Sequence, residues 1–307
     1  MAYSRNRTLT SPTFSDYPFT LGVASGEAVH DGSSARLALW TRLRPDPLNG
    51  GGMPPRDLAV RWEMAEDENF SNVVQSGTEI ATADNAHSVH VDLRGLEPAR
   101  YYWYRLKAGD EISRVGRTKT APEARAPLSS LKLAFASCSD YQEGYFPAYL
   151  AIAEDEDLDF VFHLGNYICE YDPDPESTRV AKTDAPTDFE SYRNTHAEYK
   201  LDPALQDAHG MHPWEVIPDD HEVYNNYEGD PEQSDVVSAA LLAYWEHMLL
   251  RPSASPHFAG RKTCCTSTAP STTGTSLFLP HWTPASPGAS PPRPSPEAKR
   301  ISTPRWC

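Results

Sequence analysis

The stretch Phe160-Val161-Phe162-His163-Leu164-Gly165-Asn166-Tyr167-Ile168-Cys169 decides the fold, together with Trp214-Glu215-Val216-Ile217-Pro218-Asp219-Asp220-His221-Glu222-Val223 further on. Each is an apolar run of strand character that breaks into a polar cluster. Open α/β sheets present ligands in this way, outside the carboxyl ends of their strands. Upstream, residues 131–136 read as another strand, ending at Ser137-Cys138-Ser139-Asp140, and residues 145–154 carry apolar positions at helical spacing. Strand, helix, strand in that order predicts a right-handed crossover between parallel neighbours, with their loops opening on one edge. The layout suits a metal-dependent hydrolase, and Asn166 stands where such a site wants a carboxylate.

Further on, residues 184–212 read as helical and carry Tyr192, Arg193, His196, Tyr199 and Lys200. Residues 236–250 predict another helix, with Leu241, Leu242, Tyr244, Trp245 and Met248 on its apolar face. Before the α/β pattern, short alternating segments at 19–24, 35–41, 58–64, 87–93 and 101–107 are separated by turns such as Asn49-Gly50-Gly51-Gly52, which favours a β-sandwich. Val89-His90-Val91-Asp92-Leu93-Arg94-Gly95-Leu96-Glu97-Pro98 followed by Tyr101-Tyr102-Trp103-Tyr104-Arg105 resembles a fibronectin type III pattern. The expected fold class is therefore mixed α/β: a β-sandwich over 19–120, a linker over 118–127 and an α/β unit over 128–250. His87 and His90 are expected as exposed pairing residues, and His196, His209 and His212 as helix-face or loop residues.

The net charge of −16 is unevenly distributed, because seven Lys and Arg face one acidic residue after position 250. The body is thus strongly acidic, which disfavours nucleic acid and anionic membranes as partners. No run reaches the ~20 apolar residues of a membrane span, and the first residues lack the apolar core of a secretory signal. Cys138 and Cys169 are the cysteines of the body, too few for a disulfide framework; Cys264, Cys265 and Cys307 lie beyond it. Residues 251–307 hold eleven of the 28 prolines amid Ser and Thr, so this segment is expected to be a disordered tail. The abrupt switch reads as a change of reading frame, with a mucin-like or flexible stalk as the alternative.

Several ordered motifs carry a family resemblance: Phe19-Thr20-Leu21-Gly22-Val23-Ala24-Ser25-Gly26, Leu39-Trp40-Thr41-Arg42-Leu43, Phe135-Ala136-Ser137-Cys138, Glu143-Gly144-Tyr145-Phe146, His163-Leu164-Gly165, and Asp219-Asp220-His221-Glu222-Val223 with Asn225-Asn226. Together they resemble the PhoD family of alkaline phosphatases and phosphodiesterases, a branch of the calcineurin-like metallophosphatases, over about residues 19–250. The resemblance implies a fibronectin-like domain followed by an α/β sandwich whose loops bind iron and calcium and hydrolyse phosphate mono- or diesters. Family members are often exported by a twin-arginine signal, which is not visible here.

By that resemblance Cys138 matches a thiolate ligand, and Asp219 and Asp220 match an aspartate cluster that ligates metal. His221 would stabilise the phosphoryl group or protonate the leaving oxygen, and Asn225 or Asn226 would offer an amide oxygen. Two positions depart from the family's Gly-Asp-Tyr-Ile-Tyr run. Asn166 replaces the bridging aspartate, and an amide cannot bridge two cations as a carboxylate does. Cys169 replaces a tyrosine that binds iron, and would offer a thiolate on a shorter side chain. The family's later Gly-Asp-x-His type run has no match after Pro252, so the phosphatase unit is expected to be truncated. A phosphoesterase impaired in this copy is the leading expectation; the alternative is a non-catalytic β-sandwich binding protein carrying a degenerate scaffold.

Overall fold

Period-two alternation shapes the first half of the chain. In β6 (Tyr101–Ala108), Tyr102, Tyr104, Leu106 and Ala108 are buried while the intervening residues face outward. The computed structural model describes residues 12–229 and 234–256. Around β6 run β1 (Val23–His30), β2 (Ala35–Arg42), β3 (Leu58–Ala65), β4 (Val73–Ala81), β5 (Ser88–Leu96), β7 (Glu111–Ile112) and β8 (Gly116–Lys119). Then come β9 (Leu133–Ala136), α1 (Pro147–Glu154), β10 (Phe160–His163), α2 (Phe189–Lys200), α3 (Pro203–Met211), β11 (Pro213–Val216) and α4 (Ser234–His247).

Two sheets result. One has five strands, with the path β4-β3-β6-β7 and β8 also on β6; the other has six, in the order β5-β2-β1-β11-β10-β9. Leu37 and Leu39 of β2, Val60 and Met64 of β3, Val89 and Val91 of β5, and Tyr104 and Leu106 of β6 share one buried cluster between the sheets. Each full burial of such a side chain contributes about 1.5–3 kcal/mol.

The β-strand half of the chain shares a sheet with the α/β half. Ser25 and Gly26 of β1 pair in parallel with Pro213 and Trp214 of β11. Gly26 makes the joint possible, since a Cβ there would lie 2.2 Å from the Trp214 carbonyl and 1.8 Å from Leu249 Cδ1. The pairings β11–β10 and β10–β9 are parallel too, as the strand-helix-strand order predicts.

One face of these strands is covered. Val161 and Trp214 pack with Tyr149 and Ala153 of α1, Leu205 and Ala208 of α3 and Met248 beyond α4. The described residues leave the opposite face open: Phe135 is 72% and Leu133 41% exposed, and half-buried Phe160 and Phe162 stack edge to face at 4.9 Å. Parallel sheets are ordinarily covered on both faces.

The single helical stretch expected over 184–212 is two helices. Asp202 accepts from Leu205 N–H as an N-cap and Pro203 opens α3, so the chain restarts there. α2 likewise begins at an Asp188–Ser191 capping box. His87 and His90, expected on the surface, are buried at 4% and 7% exposure. His90 stacks on Trp245 at 4.1 Å and bonds the Leu250 carbonyl through Nδ1 at 2.8 Å, so α4 and its exit cover this end of the sheet.

The start of the expected tail is ordered. Pro252–Ala254 forms a 3-10 turn, and Arg251 pairs with Glu27 at 3.2 Å. The rest of that segment, with His257, His281 and its cysteines, lies outside the described residues. No described helix is long and apolar enough to cross a membrane.

Candidate functional site

Three parallel strands end side by side, and backbone hydrogen bonds lace their exits together. Leu164 N–H donates to the Ala136 carbonyl at 2.8 Å, Cys138 N–H to Gly165 at 3.1 Å, Ser139 N–H to Asn166 at 2.8 Å, and Ile217 N–H to His163 at 3.1 Å. Gly165, at φ +100°, lets the β10 exit touch the β11 exit: a Cβ would sit 2.4 Å from that of Asp219. Cys138 and Asn166 both hold positive φ, 56° and 52°, an uncommon conformation of the kind that clusters at functional sites.

Asn166 is the hub. It is 5% exposed; its Nδ2 donates to Cys138 Sγ at 3.7 Å, and its Oδ1 accepts from His221 N–H at 3.4 Å. Glu222, fully buried, fastens the same loops by accepting from Tyr167 N–H at 2.6 Å and Asp219 N–H at 2.8 Å. Burial raises its pKa, while those backbone donors oppose the rise.

His221 is oriented by a residue that the sequence reading passed over. Its Nδ1 lies 2.7 Å from Glu170 Oε2, while Glu170 Oε1 accepts from Asn225 N–H at 2.6 Å. A carboxylate only accepts, so Nδ1 carries a proton and Nε2 is left as the nitrogen free to work. The Tyr171 ring meets the imidazole edge-on at 5.5 Å. Glu170 directly follows the quoted β10 run, and a carboxylate at a strand exit was its available signal.

Beneath these loops lies a buried polar layer. His163 Nε2 is 3.0 Å from Tyr149 OH and 3.2 Å from Ser139 Oγ, and burial pushes its pKa down to about 3, so the ring is neutral. Tyr167 OH meets His209 Nε2 at 2.8 Å and accepts from Lys200 Nζ at 3.1 Å. Lys200 is 2% exposed, with its Nζ 4.4 Å from the Trp40 ring centroid, and desolvation pushes its pKa down to about 7.

Cys138, Asn166, Asp219 and His221 thus converge. The other sequence candidates are held differently. Asp220 Oδ2 accepts from Asn226 N–H at 2.5 Å; Asn225 is exposed and engages Glu170 through its backbone. Cys169 is buried, with its thiol donating to the Ser139 carbonyl at 3.6 Å and its N–H to Tyr199 OH at 2.9 Å. Among the described residues, no three His, Cys, Asp or Glu side chains gather closely enough to hold a metal ion. At the hub, the amide donates to Cys138 where a metal pair needs a bridging anion, so the residues present do not fit a two-metal centre.

Comparison with known proteins gives consistent matches. The family profile for the N-terminal domain of PhoD-like phosphatases matches residues 4–122, and that for PhoD-like phosphatase matches residues 133–264. Alkaline phosphatase D of Bacillus subtilis (strain 168) is 48% identical over 260 residues, covering 80% of this chain and 44% of that protein. A solved structure of PhoD superposes with a TM-score of 0.75 at 47% identity, covering 80% of this chain and 48% of that one. The chain therefore spans less than half the length of these relatives.

Proposed function

The chain belongs to the PhoD-like phosphatase family, and from that premise we propose that it carries one side of a phosphate ester hydrolase site of the alkaline phosphatase D type, impaired in this copy. The observation that carries the reading is the meeting of Cys138, Asn166 and His221 at the exits of parallel strands, far apart in sequence and bonded to one another. In this role His221, held by Glu170, presents Nε2 to a phosphoryl oxygen or to the leaving oxygen. The backbone laces and Glu222 keep the loops from drifting, which preserves the geometry that phosphoryl transfer requires.

Impairment follows from charge. Iron and calcium are the metals expected for the family, with Cys138, Asp219, Asp220 and an asparagine of 225–226 on their ligand list. With an amide at 166 and a thiol at 169, the cluster lacks the bridging anion that would hold two cations together. The test is hydrolysis of p-nitrophenyl phosphate and bis-p-nitrophenyl phosphate at alkaline pH with added calcium and iron, alongside elemental analysis. Slow turnover with sub-stoichiometric metal is expected. Vigorous hydrolysis would overturn the impairment and uphold the reaction class; neither hydrolysis nor metal in the Asn166→Asp variant would favour the non-catalytic scaffold.

A further inference from the structure

A second feature lies away from these loops, at the junction between the end of β2 and helices α2 and α4. A cavity of about 210 Å³ is lined there by Arg42, Arg44, Arg193, Glu190 and His87, with the Gly50–Gly51 turn and the apolar wall of Met53, Pro54 and Pro55 closing it. At about 30 Å³ per water, it has room for a small polyatomic ion. It shares no lining residue with the Cys138–His221 site.

Its charge is unbalanced. Arg193 forms a bidentate pair with fully buried Glu246, at 2.7 and 2.6 Å. Arg44, 2% exposed, bonds Glu190 at 3.1 Å and the Pro47 carbonyl at 2.6 Å. Arg42 is 1% exposed and, among the described residues, has no carboxylate bonded to it: its Nε donates to the Ala86 carbonyl at 2.9 Å, and its Nη1 meets His247 Nε2. His247 Nδ1 is 2.6 Å from the Ala243 carbonyl, which places the proton on Nδ1 and leaves Nε2 as an acceptor. Burial lowers the pKa of both His247 and His87, so neither ring adds charge and neither offsets any. Among the described residues, the guanidiniums of Arg42, Arg44 and Arg193 therefore face the two carboxylates of Glu190 and Glu246. One positive charge is left over in a place where water does little to screen it.

The geometry points to a binding site for a small tetrahedral oxyanion, orthophosphate in the first instance, held by Arg42 and Arg44 in this cavity. An oxyanion supplies the missing negative charge, and its oxygens can accept from the guanidinium N–H groups that Arg42 and Arg44 do not give to protein partners. The strongly acidic body makes an extended polyanion such as nucleic acid a poor occupant, whereas a single small anion meets only the local field. The Gly51 backbone packs against Arg44, a Cβ there lying 3.4 Å from Arg44 Cγ, so the turn braces the guanidinium from outside.

The test is thermal melting of the metal-free chain, in chelator, against increasing phosphate, with sodium chloride at matched ionic strength as the control. A saturable rise is expected, about 5–10 °C at a hundredfold excess over Kd, and absent with chloride. Arg44→Gln should weaken the apparent affinity at least tenfold. Should that variant not fold, Ala83→Glu on the cavity wall supplies the missing carboxylate and should abolish the phosphate response. A phosphate effect no larger than that of chloride, or a wild-type response in Ala83→Glu, overturns the assignment. Neither outcome depends on whether the strand-exit site hydrolyses esters.

Discussion

Replacing Asn166 by Asp probes the strand-exit site most directly. In the metal-free chain the substitution removes the Nδ2–H···Sγ contact to Cys138 and places a carboxylate at a position 5% exposed, beside the Asp219–Asp220 turn. The His221 N–H keeps an acceptor, so the loss is one weak hydrogen bond plus desolvation of a charge. That amounts to about 1–3 kcal/mol at neutral pH, or several degrees of melting temperature for a folded unit of this size. The new carboxyl should titrate above its unfolded value, because burial disfavours its ionised form. A raised acid pKa withdraws stability as pH climbs through the interval between the unfolded and folded values, so the deficit should shrink towards pH 4. Metal reverses the sign. A cation at one hundred times its Kd returns about 2.7 kcal/mol, enough to match or exceed the penalty. Differential scanning fluorimetry with and without calcium and ferrous iron, paired with elemental analysis, reads both halves. If the variant melts like the parent in chelator and gains no metal, residue 166 is not at the centre of a cation site.

Glu222→Ala should cost about 2–4 kcal/mol, since it strands the N–H groups of Tyr167 and Asp219 and leaves a void where a fully buried side chain stood; urea melts measure it, and a loss below about 1 kcal/mol would mean that the two loops hold without it. Lys200 is a base whose folded pKa, about 7, lies below its unfolded value. The unfolded chain therefore binds more protons between about pH 7 and pH 10.5, and stability from this group rises across that window. Lys200→Met should flatten that part of the stability-against-pH curve, and an unchanged slope would show that the ammonium is solvated.

Much of the α/β half was legible because periodicity and exit chemistry agree there. The runs before Cys138, Asn166 and Asp219 became β9, β10 and β11, and their loops meet as the strand-helix-strand order required. What escaped depends on partners distant in sequence. β4 went unnoticed because Gln75-Ser76-Gly77-Thr78-Glu79 is polar, yet it pairs with β3 along an exposed edge. His87 and His90 read as surface residues because nothing local announced that other segments would cover them: Arg56 bonds His87, and Trp245 with Leu250 covers His90. The β1–β11 pairing that joins the halves rests on Gly26, whose missing side chain has no signature until Leu249 and Trp214 are placed. Glu170 and Glu222 were visible as letters, but a carboxylate's role as clamp or orienter is decided by which N–H groups reach it.

The side of β9 and β10 that the described residues leave bare has a thermodynamic signature. Phe135 and Leu133 are already hydrated in the native state, so unfolding exposes less fresh hydrocarbon there than from a sheet covered on both sides. The heat-capacity increment per folded residue should fall below the usual ~12–15 cal/mol/K, and the denaturant slope should shrink with it. A smaller increment broadens the stability dome, so the chain should lose little on cooling.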